Sequence, residues 1–141
     1  MANEAALRDR LAHPIDFTVA DGTGIEKGAI LALTDPRTAV APTVLATQAL
    51  AGIAAREKVA SDGRTRLSIF TKGIFDMTAS GAITVGNAVV SAHDANYPNT
   101  VAKALGLTNP ASGAAILGYA LETASDAEVI QIYVDVGAGR G

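Results

Sequence analysis

Glycine-containing turn dipeptides interrupt this chain at short intervals, so no long secondary-structure element fits between them. Examples are Asp21-Gly22, Asp62-Gly63 and Ser80-Gly81, and the runs between such pairs are short and rich in β-branched residues. Short runs of this kind, bounded by turn residues, are typical of small sandwiches and barrels. The sequence therefore predicts a mainly β protein, folded as a small β-barrel or sandwich-like single domain.

Two runs show the alternation expected of half-buried strands. Along 129–136 one face carries Ile130, Ile132, Val134 and Val136, and the other carries polar residues and a tyrosine. In the run 64–70, Leu67 and Ile69 point to one side. The dipeptide Asp62-Gly63 before this run matches a type I′ turn, which predicts a tight hairpin with the run 50–60.

An internal similarity links the two halves of the chain. The segments 25–31 and 83–89 each contain an isoleucine, a glycine three residues later and then an apolar strand. Each half continues with a glycine-centred run and an alternating strand, which predicts two copies of one β unit around a shared core. Five glycines are assigned to tight corners that favour positive φ: Gly28, Gly52, Gly63, Gly86 and Gly118.

Helical signals are weak, but two short helices are predicted. Asn3 is a candidate N-cap for a helix over 4–11, and Asn99 or Thr100 is one for a helix over 101–105. The predicted organisation is an extended N-terminal arm at 1–14, a β domain at 15–136 and a C-terminal tail at 137–141.

Composition excludes several classes of function. The 141 residues carry a formal net charge of −3 and contain no cysteine or tryptophan. An acidic chain with few aromatic residues is poorly suited to coating phosphate backbones or stacking on bases. Nucleic acid is therefore not expected as a partner. No apolar stretch approaches the length of a membrane span, so a membrane is not expected as a partner either.

Residues suited to catalysis or metal binding are sparse. His13 and His93 are the only histidines, and neither stands at ligand spacing from other metal-binding residues. The segment 22–28 is no phosphate-binding loop, because its lysine is followed by Gly-Ala rather than by Ser or Thr and a helix. No catalytic, cofactor or metal residue is predicted. The alternative is a small β-barrel ligand-binding or enzyme subunit, with Asp76 or Glu122 lining its site.

Charge is distributed unevenly along the chain. Between residues 56 and 72 there are five cations and two carboxylates, whereas 104–141 contains one cation and four carboxylates. Surfaces of opposite sign favour head-to-tail contacts between copies, or docking on a charged partner. The cations of 56–72 are also the basis of a third, weaker alternative, a nucleic-acid-binding module.

The spacing of glycines and apolar residues resembles that of the capsid cement, or head decoration, proteins of tailed double-stranded DNA viruses. The resemblance covers about residues 15–136. The segments that carry it are Ile25-Glu26-Lys27-Gly28, Leu31-Ala32-Leu33, Ala51-Gly52-Ile53-Ala54-Ala55, the run from Ile74 to Ile83, and Gly118-Tyr119-Ala120-Leu121-Glu122. It implies a small, mostly β, non-enzymatic protein without a cofactor. It also implies synthesis in the host cytoplasm and association, commonly as a homotrimer, with the major capsid protein on the outside of the head.

The alternating run 14–19 predicts how the chain contacts the capsid protein. We expect part of the N-terminal arm to add a strand to an exposed sheet edge, with backbone hydrogen bonds giving affinity. The residues expected to contact the capsid are Ile15, Phe17 and Val19 on this run, together with Arg64 and Arg66.

Overall fold

The computed structural model describes residues 5–41, 49–91, 100–103 and 116–136, which form eleven strands and no helix. The strands are β1 (Ala6–Arg10), β2 (Ile15–Thr18), β3 (Ile30–Thr34), β4 (Thr38–Val40), β5 (Leu50–Ala54), β6 (Arg66–Phe70), β7 (Lys72–Ser80), β8 (Ala88–Ser91), β9 (Thr100–Lys103), β10 (Gly118–Ala120) and β11 (Val129–Asp135). The prediction of a mainly β fold is confirmed.

The first barrel is a closed ring of five strands in the order β2-β4-β3-β5-β6. Neighbouring strands in this ring are antiparallel, except that β2 and β4 run parallel. Its interior is apolar and includes Phe17, Leu31, Leu67 and Ile69.

The second barrel repeats this arrangement with the order β7-β9-β8-β10-β11. It closes because the long strand β7 pairs with β11 on one side and, near its C-terminal end, with β9 in parallel. Strand β1 pairs antiparallel with the N-terminal half of β7. The sheet that forms the second barrel therefore has a sixth strand, β1, which comes from the N-terminal segment.

The hydrogen-bond pattern of the two barrels confirms the internal duplication. Gly28 N–H donates to the carbonyl of Ala54 at 2.8 Å, and Gly86 N–H donates to the carbonyl of Ala120 at 2.8 Å. The strand registers also correspond, with Leu31 opposite Gly52 in one barrel and Val89 opposite Gly118 in the other. The sequence similarity between the halves thus reflects one β unit used twice.

Both copies contribute to a shared core. Ile30, Leu50 and Ile53 of the first barrel belong to the same buried cluster as the interior residues of the second. The Phe70 ring lies edge-on to the Phe75 ring, with centroids 5.8 Å apart. Burying apolar surface contributes about 25 cal/mol per Å², so this shared cluster holds the barrels together.

The five selected glycines serve two different purposes. Gly28 and Gly86, with φ of 80° and 85°, and Gly63, with φ of 84°, are in the left-handed region that favours glycine. Gly52 and Gly118 lie inside strands rather than at corners, although Gly52 also has a positive φ, 144°. A Cβ atom at Gly52 would overlap the Phe70 carbonyl oxygen, and one at Gly118 would overlap that of Tyr133.

Both helix predictions are wrong. Ala6–Arg10 forms β1, and Thr100–Lys103 forms β9. Each segment pairs with β7 through backbone hydrogen bonds. Isolated helices this short are marginal in water, so tertiary strand pairing overrides the weak helical preference.

The tight hairpin predicted at Asp62-Gly63 is also wrong in detail. Strands β5 and β6 do pair antiparallel, but the β5–β6 loop that joins them spans 55–65. Positive φ occurs at Ser61 (59°) and Gly63 (84°) rather than at two adjacent residues. Within this loop Lys58 forms an antiparallel bridge with Ile25.

Candidate interaction surface

Strand β1 forms one edge of the sheet around the second barrel. It pairs with β7 only, and all five of its residues are exposed. A register shift between Leu7 and Asp9 marks a bulge, and Arg8 Nε lies 3.0 Å from Asp76 Oδ2. The outer edge of β1 has no strand partner within the described part of the chain, so its backbone groups can pair with another chain.

A groove of about 400 Å³ lies beside β1, between the N-terminal segment and the first barrel. The residues that line it are Ala5, Ala6, Leu7, Lys27, Ala54, Ala55, Phe70 and Phe75. Among the described residues of this lining, Lys27 is the one charged residue, and the others are small or apolar. The groove offers a partner an apolar contact surface rather than a set of convergent polar groups.

The β5–β6 loop is organised around a buried lysine. The Lys58 side chain is fully buried, and its ammonium donates to the carbonyls of Asp21, Thr23 and Val59 at 2.6, 3.1 and 3.2 Å. The carboxylate of Asp62 lies 3.4 Å from Nζ and that of Asp21 lies 3.9 Å away. Lys58 therefore cross-links the loop to the segment that follows β2.

The carboxylate of Asp62 closes the same loop on itself. It accepts backbone N–H groups from Arg64 at 2.9 Å and Val59 at 3.2 Å. The Arg64 N–H, helped by the positive charge of Lys58, holds the pKa of the Asp62 carboxyl below its usual value of 3.8. In the second copy Ala124 occupies the place of Lys58, bridging Ile83 as Lys58 bridges Ile25.

Arg64 and Arg66 are exposed, as a contact role requires. Their side chains are 56% and 64% exposed, and each has a carboxylate within 4 Å, Asp62 for Arg64 and Asp16 for Arg66. The cation cluster of 56–72 presents less positive surface than the sequence indicates, because Lys58 is buried inside the loop.

The three apolar residues expected to contact the capsid occupy different environments. Ile15 is 42% exposed, whereas the side chains of Phe17 and Val19 lie in the core of the first barrel. Strand β2 already pairs with β6 on one side and β4 on the other. Contact through Phe17 or Val19 would therefore require β2 to leave the barrel.

The acids named for the alternative enzyme or ligand site have structural partners. Asp76 pairs with Arg8 on the outer face of the sheet, and Glu122 accepts the Gln131 N–H at 3.0 Å. Neither lines the groove described above nor a smaller hollow of about 210 Å³ bordered by Ile25 and Ala39.

The described residues contain no group of three or more histidines or carboxylates arranged to hold a metal ion. They also contain no helix long and apolar enough to cross a membrane. His13 is exposed, and His93 and the tail 137–141 lie outside the described residues.

Sequence reasoning missed an aromatic pair on the outside of the second barrel. Tyr119 of β10 lies opposite Tyr133 of β11, and their rings stack with centroids 5.0 Å apart. Tyr119 is 44% exposed. The alternation of β11 places Tyr133 on the outer face, but no sequence signal pairs it with Tyr119, because the register between the strands is a tertiary property.

These surfaces belong to a protein of the capsid cement class. The sequence profile of the phage cement protein family matches residues 11–136, and the chain belongs to this family. A search of curated protein sequences gives no significant match.

A solved structure shares the fold. The N base of the head fiber protein gp8.5 from bacteriophage phi29 is 15% identical in sequence and superposes with a TM-score of 0.53. The likeness covers 86% of this chain and 93% of the phi29 chain.

Proposed function

We propose that this chain is a capsid cement protein that binds the major capsid protein on the outer surface of a phage head and stabilises the shell. It acts as a homotrimer after synthesis in the host cytoplasm, and it neither catalyses a reaction nor holds a cofactor. Family membership supports a capsid-associated structural role. The observation that carries the proposal is the exposed, unpaired edge of β1.

The proposed attachment is strand addition at this edge. An extended segment of the capsid protein pairs with β1, so that backbone hydrogen bonds supply affinity and side chains set the register. Leu7 and Leu11, which are 39% and 46% exposed, supply apolar contacts beside the edge. This places the foothold within the predicted arm but N-terminal to Ile15, Phe17 and Val19.

Arg64 and Arg66 form a second proposed contact. Their guanidinium groups are more than half exposed and are held near carboxylates by the β5–β6 loop and β6. Exposed cations change the rate and specificity of association more than its final affinity. We expect them to orient the protein on an acidic patch of the shell.

Trimeric presentation raises the effect of each weak foothold. Linked sites bind at a high effective concentration, so avidity exceeds a single contact by about 10² to 10⁴ where the geometry permits. A partner that binds only the intact shell shifts the equilibrium away from the disrupted shell. Weak contacts at three points are therefore sufficient for cementing.

Deletion of residues 1–13 tests the proposal. Heads that lack the protein are mixed with the wild-type or shortened chain, and co-sedimentation and the rupture temperature of the heads are measured. The shortened chain should sediment with heads much less and leave the rupture temperature at its bare-head value. Unchanged co-sedimentation would refute attachment through the β1 edge.

A second variant keeps β1 and addresses the cations. Arg64→Glu combined with Arg66→Glu should slow attachment to heads, most clearly at low salt, since exposed charges are screened at higher ionic strength. The control Arg56→Glu also reverses an exposed cation of the same loop. If Arg56→Glu slowed attachment as much per reversed charge as the double variant does, net charge rather than this site would control the rate of attachment.

A further inference from the structure

The first barrel buries one of its outer faces against the second barrel. Ile30, Ile53 and Phe70 lie opposite one another in a row across β3, β5 and β6. Ile30 and Ile53 are 1% and 0% exposed and belong to the shared core. Phe70 reaches the ring of Phe75 at the start of the second barrel.

The duplication places the corresponding row on the second barrel, where its central residue is exposed. Ala88, Tyr119 and Tyr133 lie opposite one another across β8, β10 and β11, at the positions of Ile30, Ile53 and Phe70. We call these three residues, Ala88, Tyr119 and Tyr133, the aromatic row. Tyr119 is 44% exposed, whereas its counterpart Ile53 is fully buried.

The surface that receives the first barrel also has an uncovered counterpart. Phe75 lies opposite Ile132 in the second barrel, and Ile15 lies opposite Ile69 at the corresponding register of the first. Phe75 is 1% exposed because Phe70 and the shared core cover it, but Ile15 is 42% exposed. Each half of the intramolecular contact thus has a counterpart, and within the described residues the counterparts Tyr119 and Ile15 remain exposed.

We propose that copies of this chain associate head-to-tail, with the aromatic row of one copy packed on the Ile15 end of the next. The contact between copies repeats the contact between the barrels of one chain, so that Tyr133 lies against Ile15 as Phe70 lies against Phe75. The inference deepens the proposed self-association and assigns Ile15 to a neighbouring copy rather than to the capsid protein.

This contact is heterologous, and its two surfaces are different. A heterologous contact forms a closed ring when its rotation closes and a filament when it does not. Three copies would close as a ring of six barrels, with the same kind of contact within and between chains.

A complementation experiment tests this geometry. Tyr119→Glu disables the aromatic row, and Ile15→Glu disables the receiving end. Each variant alone should lose self-association in sedimentation equilibrium by roughly 30-fold, as expected for an apolar anchor at the centre of an interface. Mixing the two variants should restore one intact contact and give a heterodimer that grows no further.

The control is Val85→Glu, which adds the same charge at a residue 55% exposed but outside the aromatic row. It should associate like the wild type. Self-association that survives both Ile15→Glu and Tyr119→Glu would overturn the proposal. A mixture that stays monomeric would also overturn it, because the head-to-tail contact leaves one complementary pair of intact surfaces in the mixture.

Cross-linking gives a second test on free protein and on heads. The chain has no cysteine, so Tyr133→Cys with Ile15→Cys introduces one defined pair. Mild oxidation should join separate copies, whereas the pair Val85→Cys with Ile15→Cys should not. Absence of cross-links both in solution and on heads would overturn the head-to-tail contact. Co-sedimentation with heads is measured separately, so binding that persists without cross-links would leave the cement function standing.

Discussion

Replacing the buried Lys58 with methionine should destabilise the first barrel. Methionine keeps most of the apolar stem but removes the ammonium that donates to three carbonyls. The carbonyls of Asp21, Thr23 and Val59 lose their donor, and Asp62 loses the cation 3.4 Å away. Lys58→Met therefore tests whether this buried charge holds the loop to the barrel.

The size of the effect follows from these contacts. An unsatisfied buried acceptor costs about 1–3 kcal/mol, and three carbonyls lose their donor in this variant. Water can replace part of the loss, since the Asp21 side chain is 46% exposed. We therefore expect Lys58→Met to lower the free energy of unfolding by about 3 kcal/mol, which lowers Tm by roughly 10 °C at this chain length.

Urea and thermal unfolding followed by far-ultraviolet circular dichroism measure this quantity. The matched control is Lys27→Met, because Lys27 is exposed and its replacement should change stability by less than about 0.5 kcal/mol. A Lys58→Met variant that loses less than about 1 kcal/mol would contradict the reasoning, since an unpaired buried acceptor alone costs that much.

Two other perturbations give independent tests of the fold. Gly118→Ala forces a Cβ into the Tyr133 carbonyl and should lower Tm sharply, whereas Gly22→Ala, which meets nothing within 4 Å, should leave it nearly unchanged; equal melting temperatures would contradict the close strand approach. Because the folded pKa of Asp62 lies below 3.8, its contribution to stability is present above pH 3.8 and is lost as the pH falls further. Asp62→Asn should therefore flatten the dependence of the unfolding free energy on pH below about 4, and an unchanged slope would show that this carboxyl is not linked to folding.

Local patterns predicted the parts of the fold that depend on local rules. The alternation along 129–136 correctly identifies β11, because Ile130, Ile132 and Val134 are buried. The repeated spacing of Gly28 and Gly86 correctly indicates duplication, since a positive φ, which favours glycine, recurs at the same place in each copy. These patterns do not predict that the strands close into two barrels. Closure depends on strand pairings such as that of Thr18 with Thr38 and its counterpart in the second copy.

Errors and omissions arose where distant segments decide the structure. The segment 4–11, which was predicted to be helical, contains β1, and β1 pairs with β7 more than sixty residues later in the sequence. The sequence alone indicates that Lys58 is a surface cation, because its acceptors, the carbonyls of Asp21 and Thr23, lie 37 and 35 residues earlier in the chain. Phe17 and Ile15 have the same local pattern, but closure of the barrel buries one and leaves the other exposed.

The duplication also explains how one chain presents two kinds of surface. The two copies keep the same hydrogen-bond framework, for example at the Ile25–Lys58 and Ile83–Ala124 bridges. They differ in the loops and outer faces, where one copy contains a buried lysine and the other carries the stacked pair of Tyr119 and Tyr133. A common scaffold with divergent surfaces would suit the two proposed contacts, one with a neighbouring copy and one with the capsid protein.

A reconstruction of the phage head by electron cryomicroscopy tests the central claim most directly. The account predicts density for paired five-stranded barrels on the outer surface of the shell, grouped in threes, with β1 extended by a strand of the capsid protein. Heads whose outer surface lacks such density, or that carry it only on the inner face, would contradict the proposed role.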